Sequence, residues 1–468
     1  RTFGTCQHQD NPDLHQSDKS EFKKYKESTY LKFMFIGVDA SRSISTIQKT
    51  GVEKVSDELL QQLILLSSRA EAKLSEAEVE GSKKQIPPLL TAMEVGRNDN
   101  NNDFNFVYYT PQKIDWLPQE NPVKSLHSAG TSQKILYWPF KFLWTQIRLG
   151  WELIFHAPEI MFFPVHAMPL VLFCLSFRPQ RTIVNEVEES QNRSLDCALD
   201  DKIKVYKVIH DIAFKKQPQL YSLKQKIILN LDLWLAKKLC TKIFVPTWAV
   251  KDDVLKYTKI NSEKIIVTHW GYHRKNFQFS ISNFQCKKKQ ILYIGRVEEK
   301  KNISNLIKAF KIFYQKNSEY KLILAGKVDE GFKISNVKFP MSNQYQNPNE
   351  DSSVIFLNYV SEAKKHELLS ESSALILVSK EEGFGMPLLE AFDFGLPVVA
   401  SDIPVLLEVG GEACLYVNPD APEDIANKLS EIMSDKKIQQ NLIIAGQERL
   451  KEFDWEKTAQ KILNEIIK

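Results

Sequence analysis

Apolar residues along this chain fall in short β-branched runs separated by longer stretches with helical spacing, the alternation expected of β-α units around parallel sheets. "LKFMFIGVDAS", "KVYKVIHD", "KIFVPT" and "KIIVTHWG" predict strands of a first half. "QILYIGR", "KLILAGK", "SVIFLNYV", "ALILVS" and "LPVVAS" predict strands of a second. The polar, unpatterned run Gly271–Lys289 separates them and places an interdomain linker at 276–289. The reading that follows is a polar tail over 1–28, an N-terminal domain over 29–275, a C-terminal domain over 290–454 and an amphipathic helix over 455–468 that can lie against either domain. The fold class is α/β, with two Rossmann-like domains. Arg69–Asp103, Val184–Asp201 and Phe332–Ser352 interrupt the alternation and are expected to be surface insertions or loops.

One run invites a membrane reading. "IMFFPVHAMPLVLFCLSF", Ile160–Phe177, has nearly spanning length, but Pro164 and Pro169 would break a helix twice. Short buried strands of an α/β core have the same composition. Just upstream, Trp138, Trp144 and Trp151 interleave with Lys141 and Arg148, which allows an interfacial face as well as an ordinary packed helix.

With 468 residues, 43% of them apolar, the chain is long enough for two cores. Sixty-two basic against 58 acidic residues leave +4, too balanced for nucleic acid to be the main partner. The six cysteines are scattered with no Cys-x-x-Cys pair, so neither a zinc site nor a disulfide framework is indicated and a reducing, cytoplasmic setting fits. Sequons at Asn192 and Asn302 read as chance matches, because the first residues show no apolar signal core.

The chemistry concentrates in "EEGFGMPLLEAFDFGLPVVAS", Glu381–Ser401. Gly383 and Gly385 free the backbone, Pro387 suits a first helical position, and Gly395 with Pro397 stops the helix. The turn therefore aims N–H groups at an anion such as phosphate. Glu382 and Glu390 stand on either side of it and, being carboxylates, must accept hydrogen bonds from hydroxyls. Phosphates between diols describe a nucleotide sugar. Glu390 alternatively is a solvated helix residue, although Leu388, Leu389, Ala391 and Phe392 make its surroundings apolar. In "LYIGRVEEKKNISNLIKAF", Arg296 and Lys301 follow a strand and open a helix, so both cations can face one point above the sheet, with Arg296 forked onto a diphosphate.

"GRVEEKKN" (Gly295–Asn302), "SKEEGFGMPLLEAFDFGLPVVASD" (Ser379–Asp402) and "EVGGEACLYVNPD" (Glu408–Asp420) resemble the nucleotide-sugar domain of the retaining GT-B glycosyltransferases of family four, the glycosyl transferases group 1. The resemblance covers roughly Ile291 to the C-terminus. It implies that Glu382 holds the donor sugar, Glu390 the ribose, Arg296 and Lys301 the diphosphate, and the backbone around Phe384, Gly385 and Met386 sugar or phosphate. More loosely, "IGVDAS", "KTGVEKVSDELLQQL", "LWTQIRLGWEL", "FFPVHAMP" and "VIHDIAF" resemble the subgroup containing many bacterial mannosyltransferases of surface polysaccharides. By that resemblance Gly51 approaches the diphosphate and His210 sits beside the sugar, with Asp211 orienting His210 or touching the acceptor; otherwise His210 is a satisfied core histidine. Asn358 stands where a glycine is common, and Thr247 where a serine is usual.

The implied activity is transfer of a hexose, mannose by the subgroup, from a nucleoside diphosphate to an acceptor hydroxyl with retention, in surface polysaccharide or glycolipid synthesis. The catalytic set is Glu382, His210, Arg296 and Lys301; no Asp-x-Asp pair occurs, so no metal and no cofactor are expected beyond the donor substrate. The expected partners are the nucleotide-sugar donor, a glycan or lipid-linked acceptor and the membrane surface, in the cytoplasm or peripheral at the inner face of the plasma membrane. A non-hydrolysing nucleotide-sugar epimerase and a non-catalytic nucleotide-sugar-binding protein are the alternatives.

Overall fold

The computed structural model describes residues 34–39, 54–63, 65–66, 104–110, 131–135, 149–155, 160–164, 168–170, 172, 203–274, 288–329 and 353–468. Strands β1 (Met34–Asp39), β2 (Phe104–Thr110), β3 (Thr131–Ile135), β4 (Ile160–Phe163), β5 (Lys204–Val208), β6 (Cys240–Val245) and β7 (Ile265–Val267) form one sheet in the order β3-β2-β1-β4-β5-β6-β7. Strands β8 (Gln290–Ile294), β9 (Lys321–Ala325), β10 (Val354–Asn358), β11 (Ala374–Leu377), β12 (Val398–Ser401) and β13 (Cys414–Val417) form a second in the order β10-β9-β8-β11-β12-β13. Every pairing is parallel. Both sheets reverse direction at their first strand, the doubly wound arrangement that opens a crevice at the strands' carboxyl ends. The helices that build the site are α1 (54–63), α2 (Leu223–Leu239), α3 (Trp248–Thr258), α4 (Ile303–Tyr314), α5 (Glu362–Glu371), α6 (Met386–Asp393), α7 (Pro404–Gly410) and α8 (Trp455–Ile467).

All the strands expected from apolar runs are present. β4 occupies the start of the run that invited a membrane reading, paired between β1 and β5 with Ile160, Met161, Phe162 and Phe163 all buried. Its composition is continuous because both faces of a parallel strand are covered. Among the described residues no helix is long and apolar enough to cross a membrane. Trp151 is exposed on the short helix Gly150–Phe155, while Trp138, Trp144, Lys141 and Arg148 lie outside the described residues. β2, β3 and β13 are not among the expected strands; β3, "TSQKI", is a polar sheet edge. The three interruptions of the alternation lie outside the described residues.

The first sheet buries Ile36, Phe162, Tyr206 and Phe244 on the face that runs into the core of the second domain. Met161, Phe163, Ile243 and Val245 lie on the other face, under α2 and α3. There Lys207 of β5 and Asp232 of α2 form a buried ion pair at 3.1 Å, and Asp232 also accepts from the Met168 amide. A buried charge pair is costly unless well hydrogen-bonded, and this one fixes the rotation of α2 on the sheet.

Residues 276–287 of the expected linker lie outside the described residues, but Gly271–Arg274, at the start of the polar run that marked it, is packed structure. A Cβ at Gly271 would come 2.0 Å from the Trp455 amide nitrogen, and the Tyr272 amide donates to the Phe453 carbonyl. The C-terminal helix α8 lies against the first domain. Asp454 caps its start, Trp455 stacks on Trp270 with ring centroids 6.2 Å apart, and Tyr206 donates its hydroxyl to the Ile466 carbonyl. Since both indoles are buried, Trp455→Ala should lower unfolding free energy by about 3–5 kcal/mol, the usual cost of a large cavity, read as a fall in the denaturant midpoint.

Candidate functional site

Between β11 and α6 the chain makes the glycine turn. Gly385 has φ 95°, a left-handed conformation that favours glycine, and it is the residue before α6. Pro387 takes the second helical position, one later than expected, and Gly395 at φ 59° ends the helix. Gly383 is needed for a different reason: a Cβ there would sit 2.4 Å from the His210 carbonyl oxygen of the first domain. The turn is thus pressed directly against the end of β5.

A cleft of about 510 Å³ runs beside this turn. The first domain contributes Lys54 and Glu58 of α1 together with Tyr272 and His273; the second contributes Arg296, Lys327, Lys365, Met386 and Glu390. Glu390 therefore faces the cleft, with 17% of its side chain exposed, and its carboxylate accepts from Lys365 at 2.5 Å. Lys365 also holds Glu362 at 2.9 Å, and Glu362 meets Lys54 of α1 across the cleft. Lys365, Glu362 and Lys54 thus form a chain of alternating charge from Glu390 to the opposite domain. Burial disfavours the charge on Lys365, but Glu390 and Glu362 outweigh it and its pKa stays raised. Desolvation likewise pushes Glu362 up, yet Lys54 and Lys365 overcome this and hold its carboxyl at about 2.

Glu382, with 10% of its side chain exposed, accepts from Ser379 at 2.8 Å and from Lys301 at 2.7 Å. Lys301 lies in the turn before α4, while Arg296 follows Gly295 on the cleft wall, half-exposed and 3.6 Å from Asp329. The two cations expected to face one point stand apart in their partners: Arg296 lines the cleft with Glu390, and Lys301 is engaged by Glu382. Phe384 is buried among Trp270 and Phe453, so only its backbone is available to a ligand. His210 is buried, its Nε2 3.0 Å from the Pro164 carbonyl and its ring against Trp270. In this arrangement it is a satisfied histidine at the edge of the site. Asp211 accepts from the Ala213 amide. Gly51 lies outside the described residues.

Two substitutions relative to the resembled family find simple reasons. Asn358 has φ 54°, the left-handed region that Asn tolerates best after Gly. Thr247 caps α3 by accepting from the Val250 amide, a task serine and threonine share. The Asn302 amide donates to the Val378 and Pro419 carbonyls in a buried position, which removes that sequon as a glycosylation site.

Three elements of the site were not foreseen. Lys365 of α5, buried beside Glu390, is the first. Lys216 joins Asp253 at 2.9 Å to Glu381 of the other domain at 2.8 Å, and these carboxylates outweigh the burial that would lower its pKa. Glu408 of α7 accepts from the Trp248 and Ala249 amides at the start of α3 and from His269 at 2.8 Å. The contacts of Lys216 with Glu381 and of Glu408 with α3 and His269 join residues more than a hundred positions apart and so carry no local sequence signal. Among the described residues no group of three His, Cys, Asp or Glu could hold a metal ion.

Two doubly wound sheets meeting across a cleft, with the glycine turn and its two glutamates on one wall, define the GT-B architecture. Residues 274–449 match the family glycosyl transferases group 1. The chain is 30% identical over 236 residues to the O-antigen chain mannosyltransferase RfbU of Salmonella typhimurium, covering 49% of this chain and 62% of that one. It is 27% identical over 175 residues to the serotype-specific mannosyltransferase WbdA of Escherichia coli, 37% of this chain and 20% of that one. The matches therefore span less than two thirds of these curated relatives. The fold is similar to Anabaena Alr3699/HepE, crystallised with UDP-glucose, with a TM-score of 0.56 at 13% identity over 92% of this chain and 98% of that one.

Glu408 supplies a pH test of the interdomain contact. Partial burial raises its carboxyl, but His269 and the two amides outweigh this and lower it below the ordinary 4.5. A depressed folded pKa stabilises above the unfolded value and is lost as pH falls through the folded one. Native protein should therefore lose thermal stability on acidification below about pH 4.5 more steeply than Glu408→Gln, measured by melting over that range.

Proposed function

We propose that the protein is a retaining hexosyltransferase that moves mannose from a nucleoside diphosphate to an acceptor hydroxyl. The observation that carries this reading is the placement of Glu390, Arg296 and the start of α6 on one cleft wall, with Glu382 held at the far side of the glycine turn. Glu390 is the hydroxyl acceptor for the ribose and Arg296 the partner of the diphosphate. Backbone N–H groups following Gly385 add a partial positive charge at the helix start. The names of the relatives support mannose and a glycan acceptor.

In the reaction the bond between the anomeric carbon and the phosphate oxygen breaks, and its electron pair leaves on the diphosphate. The acceptor oxygen bonds to the same face, and its proton passes to the departing phosphate oxygen. The protein's contribution is electrostatic: preorganised charge where the leaving group develops its own. Arg296, Lys301 and the helix start supply that charge without a metal ion. Glu382, fixed by Ser379 and Lys301, anchors the sugar. The work is done in the cytoplasm, at the inner face of the plasma membrane when the acceptor is lipid-linked.

Incubation with a panel of nucleotide sugars tests the reading: released nucleoside diphosphate with a glycosylated acceptor is expected, whereas an epimerised donor would replace it with the epimerase alternative. Within the site, Glu390→Ala should weaken binding of free nucleoside diphosphate as well as donor. Glu382→Ala should leave nucleoside diphosphate affinity nearly intact and lower kcat. Equal loss of nucleoside diphosphate binding in both variants would overturn the assignment of roles.

Activity should also survive excess chelator, and Arg296→Ala should cost roughly a hundredfold in turnover, the scale of losing one preorganised charge-stabilising donor. Loss in chelator, restored by magnesium or manganese, would show that a metal carries the charge instead.

A further inference from the structure

A lysine ordinarily lays its stem on the protein surface and keeps its ammonium in water. Lys365 of α5 does not. Only 9% of its side chain is exposed, and it lines the cleft beside Glu390. Its neighbour Lys364, 37% exposed, shows the ordinary behaviour and pairs with Glu367 three residues on. Withdrawing an ammonium from water is costly unless its charge is met, and two carboxylates meet this one: Glu390 at 2.5 Å and Glu362 at 2.9 Å. Glu362 is itself tied to Lys54 of the first domain, so the ammonium is anchored from both sides of the cleft.

The hydrogen-bonding capacity left over in this group points to its use. An ammonium carries three donors, and a carboxylate has two acceptor oxygens. Two of the Lys365 donors go to Glu390 Oε1 and Glu362 Oε2, which leaves one. Glu390 Oε1 is taken by Lys365, and its Oε2 has no partner among the described residues. One N–H and one carboxylate oxygen therefore stand next to each other on the cleft wall, each with capacity to spare. A hydroxyl answers both, because its O–H donates and its oxygen accepts. A carbonyl would answer only the ammonium, and an amino group only the carboxylate.

We propose that Lys365 and Glu390 together read the 2′-hydroxyl of the donor's ribose, so that the protein takes nucleotide sugars built on ribonucleotides and rejects those built on 2′-deoxyribonucleotides. The proposal rests on the assignment of Glu390 to the ribose and adds to it a second contact and a selectivity. Lys365 fixes Oε1 and with it the rotation of the carboxylate. Oε2 then accepts from the 2′-hydroxyl, whose oxygen accepts the remaining N–H of the ammonium. A 2′-deoxyribonucleotide leaves both groups unpaired where Glu390 is only 17% exposed. Sites built to hydrogen-bond a hydroxyl reject the analogue that lacks it for this reason.

Affinities for UDP, GDP and their 2′-deoxy analogues are measured by titration calorimetry on the full chain and on Lys365→Met, Lys365→Gln and Glu390→Gln. Native protein should prefer the ribonucleotide that it binds over the deoxy analogue by roughly tenfold or more, the scale of one hydrogen bond to a charged group. Lys365→Met should bring that ratio close to one, chiefly by weakening the ribonucleotide. Lys365→Gln keeps N–H donors without the charge and should fall between; it decides the question if melting curves show that the methionine variant does not fold. No preference in native protein would overturn the proposal. So would a ratio unchanged in the Lys365 variants, even with both nucleotides weakened, since Lys365 would then serve only to balance charge. Glu390→Gln separates the proposal from the reading beneath it. Unchanged nucleoside diphosphate affinity in that variant, or binding of neither ribonucleotide by native protein, would remove Glu390 from the ribose and the proposal with it. Affinity and preference lost in Glu390→Gln but kept in the Lys365 variants would leave the ribose assignment standing and remove Lys365 from it.

Discussion

Trp270 is the residue on which the meeting of the two domains depends. It ends the first domain just after β7, is almost wholly buried, and its indole touches His210, Phe384 and Trp455 at once. One ring thus joins the end of β5, the glycine turn of the second domain and the start of the helix that returns from it. Aromatic contacts of this kind gain from both burial and geometry, and they are non-directional enough to tolerate small shifts between the bodies they connect. The glycine turn approaches His210 so closely because Gly383 lacks a side chain and Phe384 plugs into this cluster.

Around that apolar centre the contacts between domains are ionic and lie at the rim. Lys54 with Glu362, Lys216 with Glu381, and Glu408 with the start of α3 each bridge the two halves. Glu381 adjoins Glu382, and Glu362 reaches Glu390 through Lys365. The carboxylates assigned to the two ends of the donor are therefore each coupled to a bridge across the cleft. A ligand that draws on Glu390 changes what Lys365 can give to Glu362, so occupancy and apposition of the domains share the same charges. Partly exposed ion pairs are individually weak, so no one of these bridges holds the domains together by itself.

The two faces of the first domain are specialised. Toward the second domain it presents a continuous core and the polar cleft wall; the far side of its sheet is covered by α2 and α3. The Lys207–Asp232 pair links these faces, because β5 leads two residues beyond its end to His210 and the same strand holds α2 through Asp232.

Much of this was legible in the residues themselves. Parallel-strand runs such as "KIFVPT" and "QILYIGR" are apolar on both faces, a property of composition that survives any packing, so the α/β class and the position of most strands follow locally. The glycine turn is equally local: Gly385 can adopt its positive φ without steric cost and Pro387 suits the first turn of a helix. Tertiary structure alone decided the rest. That Lys365 serves Glu390, that Lys301 is held by Glu382 while Arg296 faces the cleft, and that His210 is satisfied by Pro164 all depend on distances between segments far apart in the chain. Periodicity shows that the final helix has an apolar face but carries no information on which domain that face will meet; the answer came from where Trp270 offered a ring for Trp455 to stack on.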